Sequence, residues 1–149
     1  MVLDKDFKEF IESLNANKVK YLIVGGYAVA LHGYPRYTKD LDIWLLVSSE
    51  NAESVLKALD QFGMGNIGLK QEDFLNPESL IQIGYPPNRI DLVMSCDGVD
   101  FESCYSSRIE YLSDNIKMNF IDLENLRKNK KKSGRPQDLA DLDNLQLKK

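Results

Sequence analysis

The stretch from Tyr21 to Leu46, YLIVGGYAVALHGYPRYTKDLDIWLL, decides how this chain is read. Tyr21-Leu22-Ile23-Val24 is an apolar run of strand length. Gly25 and Gly26 follow, then a short helical pattern from Tyr27 to Leu31. A loop with His32-Gly33, Pro35 and Arg36 leads into a second strand carrying Asp40-Leu41-Asp42 and the apolar run Ile43 to Val47. Side chains alternate across a strand, so Asp40 and Asp42 share one face, with Leu41 and Ile43 on the core side. Two like charges on one face call for a cation, and Mg²⁺ prefers carboxylate and phosphate oxygens. A turn without Cβ lets a phosphate approach the backbone, and the helix after it offers unpaired N–H groups. The pattern predicts a site for a metal-bound nucleoside triphosphate (NTP).

Working outward, Asp4 to Asn15 reads as an amphipathic helix with Phe7, Phe10, Ile11 and Leu14 on one stripe. Ser48 or Ser49 caps a helix from about Glu50 to Phe62 that buries Ala52, Val55, Leu56 and Leu59. Ser79 to Gly84 and Arg89 to Met94 read as a hairpin around Tyr85-Pro86-Pro87-Asn88. Asp91 stands inside its second strand between Ile90 and Leu92, where a charge is costly unless paired or metal-bound. An ion pair with Arg89 or Arg108 is the alternative to a metal. Phe101 to Ser106 is a short helix, and Arg108–Leu112 and Ile116–Phe120 are strands around Ser113-Asp114-Asn115. Asp122 caps a helix through Lys132. Pro136 opens a last helix with Leu139, Leu142 and Leu145.

Gly25-Gly26, thirteen intervening residues and Asp40-Leu41-Asp42-Ile43 resemble the signature of the DNA polymerase β-like nucleotidyltransferase superfamily. The longer string GGYAVALHGYPRYTKDLDI is similar to its small bacterial members, the minimal nucleotidyltransferases and the AbiEii-type toxins. The tail KNKKKSGRPQDLADL resembles the end of the same proteins. The resemblance implies an α/β (α+β) nucleotidyltransferase fold, a small mixed sheet with helices packed against it. It implies transfer of a nucleoside monophosphate from an NTP to an acceptor. It places Asp91 as the third acid of a triad with Asp40 and Asp42, holding two Mg²⁺ ions. Gly25 and Gly26 would bind phosphate, and Lys130 matches the lysine that precedes the family's Gly-Arg-Pro run. Arg36 and Thr38 lie beside the site, Arg36 either touching phosphate or neutralising the acids. Small members often belong to toxin–antitoxin pairs.

At 149 residues one domain over 1–149 is expected, with an ordinary apolar content of 43%. The net charge of −4 speaks against a general polyanion-binding surface. Neither a signal peptide nor a membrane run is visible, so a cytoplasmic protein is expected. Cys96 and Cys104 form no metal or redox motif and read as buried thiols. The single histidine, His32, rules out a multi-histidine metal site and reads as a loop or packing residue. Lys128, Lys130, Lys131, Lys132 and Arg135 form a basic cluster, a pattern that usually marks a solvated helix face. With no second domain in view, the acceptor, a protein hydroxyl or an RNA 3′ end, is expected to be held by a partner protein or a dimer. Two alternatives remain at this level. One is a nucleotide-binding module with little activity that acts through a partner. The other is an RNA-binding module using the Lys128–Lys132 helix, against which the acidic net charge and the lack of an aromatic platform argue.

Overall fold

A computed structural model describes residues 4–33, 40–65, 67–84 and 88–147. The elements, in chain order, are α1 (Lys5–Ala16), β1 (Tyr21–Val24), α2 (Gly25–Leu31), β2 (Leu41–Leu45), α3 (Ser49–Gln61), β3 (Leu80–Ile83), β4 (Ile90–Val93), α4 (Phe101–Ser106), β5 (Ile109–Ser113), β6 (Ile116–Phe120), α5 (Leu123–Ser133) and α6 (Pro136–Leu147). A short 3₁₀ turn, Gln71–Phe74, precedes β3 and was not predicted; it buries Phe74. The strands form one mixed sheet in the order β3-β4-β2-β1-β6-β5, which agrees with the expected α/β class.

The capping chemistry explains where the helices begin. Asp4 accepts from the Asp6 N–H, Ser48 from Asn51, Asp100 from Ser103 and Asp122 from Asn125, each satisfying a donor that the first helical turn leaves open. Gly134 closes α5 at φ 68°, a left-handed position that suits glycine. The β5–β6 turn uses Asp114 and Asn115, both at positive φ, as a two-residue hairpin turn requires.

Among the described residues the buried apolar side chains other than Leu142 form one cluster. The α1 stripe, Phe7, Phe10, Ile11 and Leu14, is fully buried as expected, with Phe10 edge-on to Phe62 beyond the end of α3. In α3, Leu56 is only partly buried, and Ala58 takes a core place instead. On β2 both faces are covered once past Asp42. Leu41, Ile43 and Leu45 are buried on one side. Trp44, on the face of Asp42, packs edge-on to Phe101 at 5.2 Å. In α6, Leu142 and Leu145 join the interior, but Leu139 is exposed.

Candidate active site

The register of three strands assembles the site. Val24, the last residue of β1, pairs with Asp42, and Asp42 pairs with Asp91 across the parallel β2–β4 ladder. Adjacent strands lie about 4.8 Å apart, so these two carboxylates are neighbours on one face of the sheet. Asp40 lies one residue before β2 rather than inside it. The Leu41 N–H donates to the Arg89 carbonyl at 2.9 Å, which extends the ladder to the level of Asp40. A cleft of about 430 Å³ opens here, lined among others by Gly25, Asp40, Asp42, Asp91, Asn129, Lys130, Arg135 and Asp138.

Gly25 is required by geometry. Its φ is +69°, and a Cβ built on it would stand 2.1 Å from Asp42 Oδ2. The glycine makes room for the carboxylate itself, a role the sequence reading did not include beside phosphate approach. Gly26 is buried in the first turn of α2, whose N-cap, Val24, makes no side-chain capping bond.

The electrostatics are uneven. Burial pushes Asp42 up to about 7, and the neighbouring Asp91 and Asp40 carboxylates add to this, against the opposing pull of Lys130 and Arg89. Asp91 is buried. Its ion pair is with Arg89, one of the two partners considered from the sequence. Arg89 Nε donates to Asp91 Oδ1 at 2.7 Å, and Nη2 donates to Asp91 Oδ2 at 3.1 Å and to Asp40 Oδ2 at 2.8 Å. Sequence reasoning saw Arg89 only as a structural partner of Asp91 and missed its reach to Asp40. The signal was present in Arg89-Ile90-Asp91, since alternation puts the first and third residues of a strand on one face.

Lys130 is buried, unlike its exposed neighbours Lys131 and Lys132. Its Nζ lies 3.1 Å from Asp138 Oδ1 and 3.2 Å from Asp141 Oδ2. Asp138 also accepts from Ser133 Oγ and, at 2.8 Å, from Arg135 Nε. Burial raises the Asp138 carboxyl, but the hydrogen bonds from Ser133, Arg135 and Lys130 outweigh it and hold the group below its ordinary value. The Arg-Pro-Gln-Asp-Leu-Ala-Asp stretch of the tail therefore supplies the two carboxylates that fix Lys130 at the wall of the cleft. The helix α5 is itself located by the exit from β4. Asn129 Nδ2 donates to the Asp97 carbonyl at 3.0 Å, and a Cβ on Gly98 would stand 2.7 Å from Lys132 Cβ.

The other predicted residues divide clearly. Arg36 and Thr38 lie outside the described residues. His32 caps α2 at its C-terminus, with Nε2 2.7 Å from the Ile121 carbonyl, a structural role as expected. Cys104 is buried, but Cys96 is only half-buried and lines the cleft. Desolvation inside the cleft raises the Cys96 thiol, which favours its neutral form. A larger cleft, about 630 Å³, lies at the opposite end of β1 between Lys18, Lys20, Tyr105, Lys117 and Asn119. Among the described residues its lining holds a single carboxylate, Glu12, whereas the smaller cleft gathers Asp40, Asp42 and Asp91.

Among the described residues no three His, Cys, Asp or Glu side chains stand ready-made around a metal position. The donor set nevertheless suits a hard divalent cation. It is oxygen-only, its carboxylates repel one another, and a cationic group, the Arg89 guanidinium, already stands between Asp40 and Asp91.

A strand, a glycine turn onto a helix, and acids on two neighbouring strands are thus brought together in one cleft. The chain belongs to the family of nucleotidyltransferases of unknown function DUF6036, whose model matches residues 1–149. Its fold is similar to the crystal structure of a candidate nucleotidyltransferase from Thermotoga maritima. The TM-score is 0.62 at 16% identity, over 96% of this chain and 91% of that one. No curated protein matches the chain in sequence. Among the described residues no helix is long and apolar enough to cross a membrane.

Proposed function

We propose that the protein is a Mg²⁺-dependent nucleotidyltransferase that moves a nucleoside monophosphate from an NTP to a protein or RNA acceptor. The observation that carries this reading is the pairing of Asp42 with Asp91 beside Gly25, at the mouth of one cleft. Asp40, Asp42 and Asp91 would hold the metal, with two ions expected. Bound Mg²⁺ would neutralise triphosphate charge and lower the pKa of the attacking hydroxyl.

The chain's own residues supply the rest. Gly25 opens the floor of the cleft to the phosphates, with Gly26 behind it in the first turn of α2. Lys130, fixed by Asp138 and Asp141, would present positive charge from the lining of the same cleft. Arg36 and Thr38 are assigned to the same site on sequence position alone. The acceptor oxygen attacks the α-phosphorus, the bond to the bridging oxygen breaks, and pyrophosphate leaves. Asp91, once released by Arg89, would accept the acceptor's proton.

The similarity of GGYAVALHGYPRYTKDLDI to minimal nucleotidyltransferases and AbiEii-type toxins supports a cytoplasmic role in a toxin–antitoxin pair, with a partner protein or a second copy presenting the acceptor. The test is single-turnover incubation with each NTP labelled on its α-phosphate, with bacterial protein and RNA as acceptors. Label should move to one acceptor class with Mg²⁺ and to none in EDTA. Calorimetric binding of an NTP that is equal with and without Mg²⁺ would reject the metal-bridged site. Absence of both binding and transfer for every NTP would reject the enzyme.

A further inference from the structure

Arg89 is bound to two of the carboxylates that line the cleft, Asp40 and Asp91. Its backbone is fixed by the Leu41 N–H, and its guanidinium joins the carboxylates of Asp40, 49 residues away in sequence, and Asp91. Three charge-assisted hydrogen bonds, between 2.7 and 3.1 Å, use oxygens of Asp40 and Asp91. The three side chains are partly to largely withdrawn from solvent, 26% exposed for Arg89, 32% for Asp40 and 11% for Asp91. A divalent cation bridging these carboxylates and the guanidinium compete for the same oxygens.

The two ways a cation can arrive then differ. A free cation must displace Arg89 and return its donors to water. A cation arriving with a triphosphate brings new acceptors. The planar fork of a guanidinium matches phosphate oxygens as well as it matches a carboxylate. Leaving Asp40 and Asp91 is then an exchange of partners rather than a loss.

We infer that Arg89 couples metal entry to nucleotide entry: it excludes free divalent cations from the acid cluster and admits them with a triphosphate, whose phosphates it then holds. This rests on the nucleotidyltransferase reading above and adds a gate to it.

Mn²⁺ titration followed by electron paramagnetic resonance tests the inference, on the full chain, with and without a non-hydrolysable NTP analogue. Wild type should bind Mn²⁺ at least about tenfold more tightly with the analogue than without it, within the usual range of coupling between sites. Arg89→Met should bind Mn²⁺ about tenfold more tightly than wild type in the absence of nucleotide, with the coupling reduced to about twofold or less. Loss of a positive charge alone would raise both affinities together and leave the coupling unchanged, and that result would overturn the inference. Arg89→Lys, which keeps the charge but loses the fork, should fall between the two, and it carries the test alone if Arg89→Met does not fold. Wild-type Mn²⁺ affinity that ignores the analogue would also overturn the gate while leaving the enzyme reading intact. Failure of wild type to bind Mn²⁺ or the analogue at all would reject the underlying reading, and the gate with it.

Discussion

The corner of Asp40, Asp42 and Asp91 and the knot of Lys130, Asp138 and Asp141 meet at one cleft and solve opposite problems. In the knot, buried charges are matched. Two carboxylates meet Lys130, and Asp138 also receives Arg135 and Ser133. In the corner the Arg89 guanidinium pairs with Asp40 and Asp91, and among the described residues no ion pair reaches Asp42. The result is visible in the acids themselves. Asp138 is held below its ordinary value while Asp42 is pushed up to about 7. A matched cluster holds a shape. An unmatched one is stable only as far as burial and protonation allow, and it is poised to take up positive charge. The first suits scaffolding, and the second is what the proposed binding site requires.

The comparison is broken most severely by removing the cation from the knot. Lys130→Met would leave Asp138 and Asp141 buried opposite an apolar side chain, a change expected to cost about 3–5 kcal/mol. Urea unfolding should show this without any ligand present. Lys131→Ala and Lys132→Ala alter exposed side chains and should stay within about 0.5 kcal/mol of wild type. A Lys130 variant as stable as those two would show that the knot is not structural. It also follows that weakened NTP binding by a Lys130 variant counts as loss of a phosphate contact only if the fold is intact. The binding comparison with Lys131→Ala and Lys132→Ala therefore has to be made on folded protein.

The corner should respond in the opposite sense. Asp42 carries a folded-state pKa near 7 against an ordinary 3.8. Between these values the unfolded chain has already released the proton that the native state keeps. Wild-type stability should therefore fall as pH rises from about 4 to about 7 and level off above that. Asp42→Asn removes this penalty. In EDTA at alkaline pH it should be more stable than wild type by about 2–4 kcal/mol before relaxation reduces the gain, and the gain should vanish below about pH 4. The same variant should lose most of the stabilisation that Mg²⁺ plus NTP gives the wild type. Thermal melts across pH check both. A variant destabilised in EDTA with an unchanged ligand response would mean that Asp42 is a structural ion-pair partner.

Gly25 links the corner to the sheet. Gly25→Ala must adopt a left-handed backbone and drive a methyl group into the Asp42 carboxylate. A cost of about 1–2 kcal/mol is expected from the backbone alone, and the variant should lose metal-dependent NTP binding because Asp42 is displaced. Double substitution with Asp42→Ala tests the contact, since it should recover stability but not binding. No recovery would show that the contact with Asp42 is unimportant.

Much of the corner was legible because it is local. Val24, Gly25, Asp42 and Asp91 sit at ends of strands whose apolar runs are easily seen, and period-two alternation assigns their faces. The knot was legible only as a motif. Nothing in KNKKK distinguishes Lys130 from its neighbours except the face of α5 that α6 covers, and that depends on tertiary packing. The basic run therefore looked like a solvated face, and one of its lysines is buried. Leu139 failed for the same reason in reverse. It is apolar and correctly spaced, yet α6 turns it to solvent. Arg89 was seen as a partner of Asp91 but not of Asp40, because that contact crosses from one strand to the chain segment before another.

The smallest expected effect separates the two regions by their response to salt. Burial is the largest cause of the shift at Asp42, and repulsion from Asp91 and Asp40 comes second. Added salt does not restore lost hydration, but it screens repulsion between partly exposed charges. Asp40 and Asp42 are both only half-buried. Raising NaCl from about 0.05 M to about 1 M shortens the Debye length to about 3 Å, so the repulsive share should weaken. The stabilisation by Asp42→Asn should then shrink by a fraction of a kcal/mol and no more, because the burial share persists. The penalty of Lys130→Met should not change within error, since Asp138 and Asp141 are buried beyond the reach of screening ions. Paired urea titrations of wild type and both variants at the two salt concentrations measure this directly. If salt abolished the Asp42→Asn gain, the corner would be an exposed repulsive patch rather than a sheltered site. If salt relieved the Lys130→Met penalty, the knot would be open to solvent, and the contrast between a matched and an unmatched cluster would fail.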